Sequence, residues 1–188
     1  MQWIRRQILN LLHPLLWTLG RTRRKSTKLT SSQFYELSKI LEPGDVLVTR
    51  TSGNVLNWFI PGFWSHAVLF VDCDEQSCVD AVFPKVRRVN LMDLMLHVDH
   101  MAIMRPKFAT EEQKLAAMVV AESFIGRPYD LVFEPAHDAF YCSELVWQVY
   151  AETVEDWDFE ARERLGVETV TPQDLYDASK HFDCIWEN

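Results

Sequence analysis

Strand-like and helix-like segments occupy different halves of this 188-residue chain. Before residue 105, short apolar runs of strand length are separated by turn residues, as in Asp45–Thr49 and Ser65–Val71. After residue 110, the apolar residues recur at the three- and four-residue spacing of an amphipathic helix. This segregation predicts an α+β fold.

Capping and turn residues set the element boundaries. Thr110 and Gln113 form a capping box, and Gly126 ends the helix that begins there. Pro172 suits the first turn of a last short helix. We predict helices over residues 30–41, 110–125, 142–150 and 171–174, and strands over 45–49, 65–71, 78–83, 86–91 and 101–104. The aromatic segment 54–63 is predicted as either a short helix or a loop that lines a pocket.

Charge divides the chain at residue 28. Residues 1–28 carry seven basic and no acidic side chains, whereas residues 29–188 have a net charge of −15. Nucleic-acid binding needs a basic surface that faces the phosphates, so the acidic body argues against nucleic acid as a partner. The chain is long enough for one domain with a substantial core, which we place at residues 29–188.

The basic segment 1–28 is predicted to be amphipathic. Its apolar side chains recur at helical spacing and a basic cluster follows at residues 21–25, which favours contact with an anionic membrane surface. The alternative is a helix that packs on the domain or on a second copy of the chain. No small-residue cleavage site follows the apolar part. We therefore expect a cytoplasmic protein or one peripheral at the inner membrane, and a periplasmic one if residues 1–28 act as a signal anchor.

The four cysteines do not form a pattern typical of a disulfide framework or a metal site. Cys73 and Cys78 flank a predicted turn where they could face each other, but they lack the Cys-x-x-Cys spacing. His97 and His100 lie in a separate segment, so neither a metal site nor a cofactor is predicted. Cys184 is expected to be a small buried hydrophobic residue.

Cys142 differs from the other cysteines because it begins a predicted helix. At a helix N-terminus the peptide dipoles and N–H groups stabilise an anion, so they lower the pKa of a thiol. The same N–H groups can hold the oxyanion of a tetrahedral intermediate. The alternative is a buried cysteine that packs beside Leu145 and Val146.

A nucleophilic thiolate needs a base, and His66 is the one histidine that begins an apolar strand. The histidines at 97, 100, 137 and 181 lie in polar stretches, where we expect them to be solvated. Asp80, on the predicted partner strand, is the candidate that orients the imidazole, and Asp72 is its competitor. His66 and Asp80 share a face of the hairpin only if the turn has an odd number of residues.

Three segments together resemble the YiiX/YebB-like proteins, which belong to the circularly permuted papain-fold (NlpC-type) cysteine hydrolases. They are Glu42–Val48, Trp64–Leu69 and Tyr141–Val146, and Gly126–Tyr129 adds a Gly-x-Pro-Tyr segment. The histidine strand precedes the cysteine helix, which is the permuted order. The resemblance covers about residues 35–180 and implies an antiparallel sheet or barrel packed against helices.

The resemblance implies roles for individual residues. Cys142 is the implied nucleophile, His66 the base and Asp80 the third catalytic member. The implied substrate-binding residues are Tyr129, Tyr141, Ser65 and Trp64. Relatives usually have Glu, His or Asn at the position of Asp80, so this residue departs from the pattern of the family.

A cysteine–histidine pair performs acyl transfer through a thioester, so we expect a cysteine hydrolase of the amidase or peptidase type. The expected substrates are peptide-, peptidoglycan- or lipid-derived acyl groups. The basic segment 1–28 and the aromatic segment 58–64 leave open a membrane-associated lipid hydrolase or acyltransferase of the lecithin:retinol acyltransferase-like class. A non-catalytic binding module at a membrane is the third reading.

Overall fold

The computed structural model describes residues 29–58, 60–107, 110–131, 138–164 and 166–188. Its helices are α1 (Ser31–Ile40), α2 (Leu91–Met95), α3 (Glu111–Ser123), α4 (Cys142–Thr153) and α5 (Pro172–Asp177). Its strands are β1 (Val46–Arg50), β2 (His66–Asp72), β3 (Ser77–Val82), β4 (Lys85–Asn90), β5 (His100–Pro106), β6 (Arg162–Arg164), β7 (Val167–Thr169) and β8 (Phe182–Glu187). The segment predicted to be amphipathic, 1–28, lies outside the described residues.

Six strands form one sheet in the order β4-β3-β2-β1-β5-β8, and every neighbouring pair is antiparallel. β6 and β7 form a separate two-stranded sheet. The predicted α+β fold with an antiparallel sheet packed against helices is thereby confirmed. β2 lies inside the large sheet, between β1 and β3, so the strand that carries His66 is hydrogen-bonded on both sides.

Apolar side chains cover both faces of the sheet because alternate residues of a strand point in opposite directions. In β2, Ala67 and Leu69 belong to the core cluster that includes buried apolar residues of α3, α4 and α5. Val68 and Phe70 belong to a second cluster, with Leu37 of α1 and the buried residues of α2. The sheet therefore lies between two helical layers, and both hold β2 in place.

The predicted helix starts are confirmed. Thr30, Thr110 and Thr171 each accept a hydrogen bond from the N–H group three residues later and form capping boxes. The segment 54–63 contains a short 3-10 helix, Val55–Trp58. In the described part of the chain, no helix is both long and apolar enough to cross a bilayer.

The turn at Pro43-Gly44 ties β1 to helix α4. Gly44 has a φ of +93°, which favours glycine, and the hydroxyl of Tyr150 donates to its carbonyl. The next residue, Asp45, is 1% exposed and accepts hydrogen bonds from the Glu42 N–H and the Arg105 guanidinium. These contacts fix the position of β1 relative to the helix that begins at Cys142.

Several predictions from sequence were wrong or incomplete. β8 and the paired strands β6 and β7 were not predicted, and Cys184, expected to be buried, is exposed on β8. His181 is buried instead of solvated, since its ring packs against Trp157 and its Nε2 lies 2.6 Å from Asp158 Oδ1. Cys73 and Cys78 are both free; Cys78 pairs with Phe70 in the strand ladder, which leaves Cys73 in the turn.

Candidate active site

The hairpin register places His66 and Asp80 on the same face of the sheet. Asp80 pairs directly with Val68, two residues beyond His66, so both side chains lie on one face. The expected odd turn length was wrong, because the turn has four residues, 73–76. The register shift between Phe70 and Asp72 adds one residue to β2 and restores the shared face. The His66 Nε2 lies 3.1 Å from the Asp80 Oδ2. The competing candidate, Asp72, instead accepts hydrogen bonds from the backbone N–H groups of the turn.

Arg87 extends this row by one strand and was not predicted from sequence. It pairs directly with Asp80 across β3 and β4, and its Nε and Nη2 lie 2.9 and 3.3 Å from the Asp80 carboxylate. The predicted strands 78–83 and 86–91 would have aligned Asp80 with Val89, whereas the observed strands are separated by Phe83 and Pro84, which aligns Asp80 with Arg87. His66, Asp80 and Arg87 therefore form a continuous row over three strands.

Cys142 begins α4 and lies against the start of β2. Its thiol interacts with the His66 ring and with the backbone N–H groups of Ala67 and Ser143. Since Nε2 of His66 faces Asp80, Nδ1 is the ring nitrogen left for the sulfur. One imidazole thus connects a carboxylate with a thiol, as the middle member of a catalytic triad does.

Two hydrogen bonds to Val170 hold the start of α4. The Ser143 hydroxyl donates to the Val170 carbonyl at 2.7 Å, and the Val170 N–H donates to the Tyr141 hydroxyl at 3.0 Å. All three residues are buried. They attach the first turn of α4 to the segment before α5, so the sulfur of Cys142 is carried by a rigid part of the chain.

The electrostatics of the site favour an ion pair between the thiol and the imidazole. Burial alone raises the pKa of Cys142, but the His66 charge and hydrogen bond, with the Ala67 and Ser143 N–H groups, hold this pKa below its ordinary value. Burial alone lowers the pKa of His66, but Cys142 and Asp80 together raise it to about 10. Between these two pKa values, the pair exists as thiolate and imidazolium.

Glu144 lies one helical position past Ser143 and is kept largely protonated at neutral pH. Burial, with the nearby charges of Asp130 and Cys142, raises its pKa to about 8, although its carboxylate accepts a hydrogen bond from the Tyr141 N–H. A neutral Glu144 does not oppose ionisation of the neighbouring thiol.

A cavity of about 240 Å³ opens beside the sulfur. Ser65, His66, Asp80, Tyr129 and Cys142 all line it, so five of the residues singled out in the sequence are brought together. Ile60 of the aromatic segment also lines it, whereas Trp58 of the same segment is 91% exposed.

Two further residues predicted to bind substrate do not line this cavity. Trp64 is 2% exposed and packs against Tyr176, with ring centroids 5.3 Å apart, because it belongs to the main core. Tyr141 is buried and its hydroxyl is bonded to Val170. The structure thus gives both of them supporting positions behind the site.

Among the residues that the structure describes, no group of three or more His, Cys, Asp or Glu side chains is arranged to hold a metal ion. His97 illustrates this, since its Nδ1 lies 2.6 Å from the Asp93 carbonyl and no carboxylate or thiol joins it in a ligand set.

Comparison with known proteins places this geometry in a family. Residues 40–185 match the model of a family described as permuted papain-like amidase enzymes, YaeF/YiiX, of the C92 type. A stretch of 40 residues is 48% identical to the uncharacterized protein YiiX of Escherichia coli K12, and covers 21% of this chain and 19% of that protein.

A solved structure agrees over a longer range. The crystal structure titled metalloprotein YiiX, from Escherichia coli O157:H7, superposes with a TM-score of 0.68 at 20% identity. The superposition covers 78% of this chain and 97% of the other, and at this identity it supports the fold alone. With most of its length matched and its histidine strand ahead of its cysteine helix, the chain belongs to the permuted papain-like amidase family, YaeF/YiiX.

Proposed function

We propose that the protein is a cysteine hydrolase that cleaves an amide bond by acyl transfer through a thioester on Cys142. The observation that carries the proposal is the interaction of the Cys142 thiol with a His66 ring whose other nitrogen lies 3.1 Å from Asp80. The family supports amide-bond chemistry, because its model describes amidases.

In the first half-reaction, the Cys142 thiolate attacks the carbonyl carbon of the substrate and forms a carbon–sulfur bond. The first-turn N–H groups of α4, which have no partners inside the helix, stabilise the negative oxygen. The intermediate collapses when the carbon–nitrogen bond breaks. The imidazolium of His66 donates its proton to the leaving amine, which departs as a neutral molecule.

In the second half-reaction, the neutral imidazole of His66 acts as the base. It takes a proton from water as the water oxygen attacks the thioester, and the carbon–sulfur bond then breaks. The products are a carboxylic acid and the restored thiolate–imidazolium pair. Asp80 touches no reacting atom; it orients the ring and stabilises the positive charge that His66 carries in the resting state.

The thiol can be tested without a known substrate. We expect iodoacetamide at neutral pH to alkylate Cys142 much faster than Cys73 and Cys184, because the pKa values of those two thiols are raised. Mass spectrometry of peptides measures the rate at each cysteine in the same sample. His66→Ala should slow alkylation at Cys142 only. Equal rates at Cys142 and at the two exposed cysteines would contradict the proposal.

A second experiment determines whether an amide or an ester bond is cleaved. Activity-based probes with an acyl amide or an acyl ester should label Cys142 and form a thioester of defined mass, with Cys142→Ser as the unlabelled control. Labelling by the amide probe supports an amidase. Labelling by the ester probe alone would replace the amidase with the lipid-type acyl hydrolase considered above.

A further inference from the structure

Arg87 occupies a position in the cavity that the proposed mechanism does not use. It lines the cavity together with Cys142, His66 and Asp80. Its side chain is 49% exposed, whereas that of its partner Asp80 is 1% exposed. The pair carries no net charge, but the guanidinium is the part of it that is exposed to the cavity.

The guanidinium has hydrogen-bond donors left over. Arginine has five N–H groups, and the contacts with Asp80 use the Nε–H and one Nη2–H. Within the described part of the chain, the structure gives Arg87 no other hydrogen bond or ion pair. The edge formed by Nη1 and the outer Nη2–H is therefore open, and this is the fork that matches a carboxylate in two parallel hydrogen bonds.

A second arginine–aspartate pair in the same protein uses more of the donors of its guanidinium. Arg105 also makes a two-pronged contact with a buried carboxylate, that of Asp45. Its Nη1 contacts Glu42, its Nη2 also donates to the Ile40 carbonyl, and its side chain is 25% exposed. All three nitrogens of the Arg105 guanidinium thus make contacts within the fold, whereas Arg87 keeps the outer edge of its guanidinium available inside the cavity.

We propose that the open edge of Arg87 binds a carboxylate of the substrate, so that the amide cleaved belongs to an acidic, peptide-like molecule. This inference rests on the proposed amidase function. The Asp80 Oδ2 is shared by Arg87 Nη2 at 3.3 Å and His66 Nε2 at 3.1 Å, so one oxygen atom separates guanidinium from imidazole. The recognised carboxylate therefore lies on the Asp80 side of the imidazole.

Charge in the rest of the cavity agrees with an anionic substrate. Among the described lining residues, Asp80 is the only carboxylate, and the Cys142 thiolate is the other negative group. The His66 imidazolium and the Arg87 guanidinium balance these two charges. The other polar lining side chains are neutral hydroxyls, amides and a phenol, together with His97. A carboxylate that enters meets no uncompensated negative charge, although the body of the protein is acidic.

The test compares two alkylating reagents that differ only in charge. Iodoacetate carries a carboxylate and iodoacetamide does not. The alkylation rate of Cys142 with iodoacetate, divided by its rate with iodoacetamide, measures anion recognition separately from thiol reactivity. Arg87→Gln should lower this ratio by about tenfold or more, the size that a hydrogen bond between charged groups supplies. Arg88→Gln removes the same charge from the same strand, at a residue paired with Glu75 and Glu122, and should leave the ratio unchanged.

A double variant separates binding from a change in net charge. Asp80→Asn with Arg87→Gln removes both members of the pair, so the net charge of the cavity equals that of the native protein. The ratio should stay low in the double variant if the guanidinium itself holds the anion. A ratio that returns to the native value would overturn the inference, because Arg87 would then act only by neutralising Asp80.

Substrate turnover gives an independent readout. With paired amide substrates that carry Glu or Gln next to the scissile bond, the native protein should favour Glu, and Arg87→Gln should remove this preference mainly through KM. Equal use of both substrates by the native protein would refute carboxylate recognition and leave the amidase intact. If Cys142 reacts with iodoacetamide no faster than Cys73 and Cys184, the amidase proposal fails instead.

Discussion

Asp80→Asn is the substitution that most directly tests how the candidate site works. It removes the negative charge that lies 3.1 Å from the His66 ring but keeps the size and the hydrogen-bonding shape of the side chain. The native contacts raise the pKa of His66 to about 10, so the imidazolium persists well above neutral pH. The substitution should lower this pKa, since an uncharged amide stabilises the imidazolium less.

The size of the effect follows from the contact distance. An opposite charge at hydrogen-bond range raises the pKa of a histidine by about 1–3 units, and each unit corresponds to about 1.4 kcal/mol. The His66 pKa should therefore fall from about 10 to about 7–9. Arg87, which loses its partner in this variant, adds a repulsive positive charge in the same direction.

The direction of the change in amidase activity follows from the protonation state of His66. Above its pKa, His66 lacks the proton that the leaving amine needs, so amidase activity should decline on the alkaline side. In the native protein this decline is centred near pH 10, where the raised pKa lies. In Asp80→Asn it should begin nearer to neutral pH, while activity below pH about 6.5, the ordinary histidine pKa, changes least.

Histidine side-chain NMR measures the pKa without a substrate. The His66 signal is identified by its absence in His66→Gln and is followed through the neutral and alkaline range in each protein. Asp72→Asn is the matched control, because Asp72 ends the same strand and bonds only to the turn. An unchanged titration midpoint of His66 in Asp80→Asn, or an equal shift in Asp72→Asn, would contradict the proposed effect of the Asp80 charge.

Two further predictions concern the framework around the site. Arg105→Met should destabilise the protein by about 3 kcal/mol, because it leaves the buried Asp45 carboxylate without its cation, and chemical denaturation measures the loss. An unchanged free energy of unfolding would show that this pair contributes nothing. Gly62→Ala would place a methyl group 2.5 Å from the Gln173 Cβ and, by overpacking, should lower stability by about 2 kcal/mol more than Gly53→Ala, which meets open space. It should also slow alkylation of Cys142, since Gln173 holds the loop that leads into His66; equal effects of the two variants would contradict this.

Much of the site could be predicted from sequence because the information is local. Cys142 begins α4 as the apolar spacing indicated, and His66 begins a buried strand. The position of Asp80 on the same face as His66 depended on the register shift between Phe70 and Asp72, which the sequence did not indicate. The pairing of Arg87 with Asp80 depended on strand ends that differ by one residue from the predicted ones.

Other features could not be derived in this way. The edge strand β8 has few buried side chains, so it lacks the strong apolar alternation that identifies β2. The raised pKa of Glu144 depends first on burial and then on Asp130, which precedes it by more than ten residues and approaches it only in the folded chain. The sequence does not distinguish Arg87, whose outer N–H groups are open to the cavity, from Arg105, whose nitrogens all make contacts within the fold.

The sequence alone therefore determined where the capped helices begin and where the central strands lie, and that a cysteine and a histidine occupy positions suited to acyl transfer. Those properties depend on residues a few positions apart, through the periods of the helix and the strand and through capping and turn chemistry. Only the tertiary structure decided that Cys142 lies beside His66, which side chains surround the sulfur and which arginine still faces the cavity. Contacts between distant segments depend on how sheet and helices pack, and that packing is a property of the whole chain.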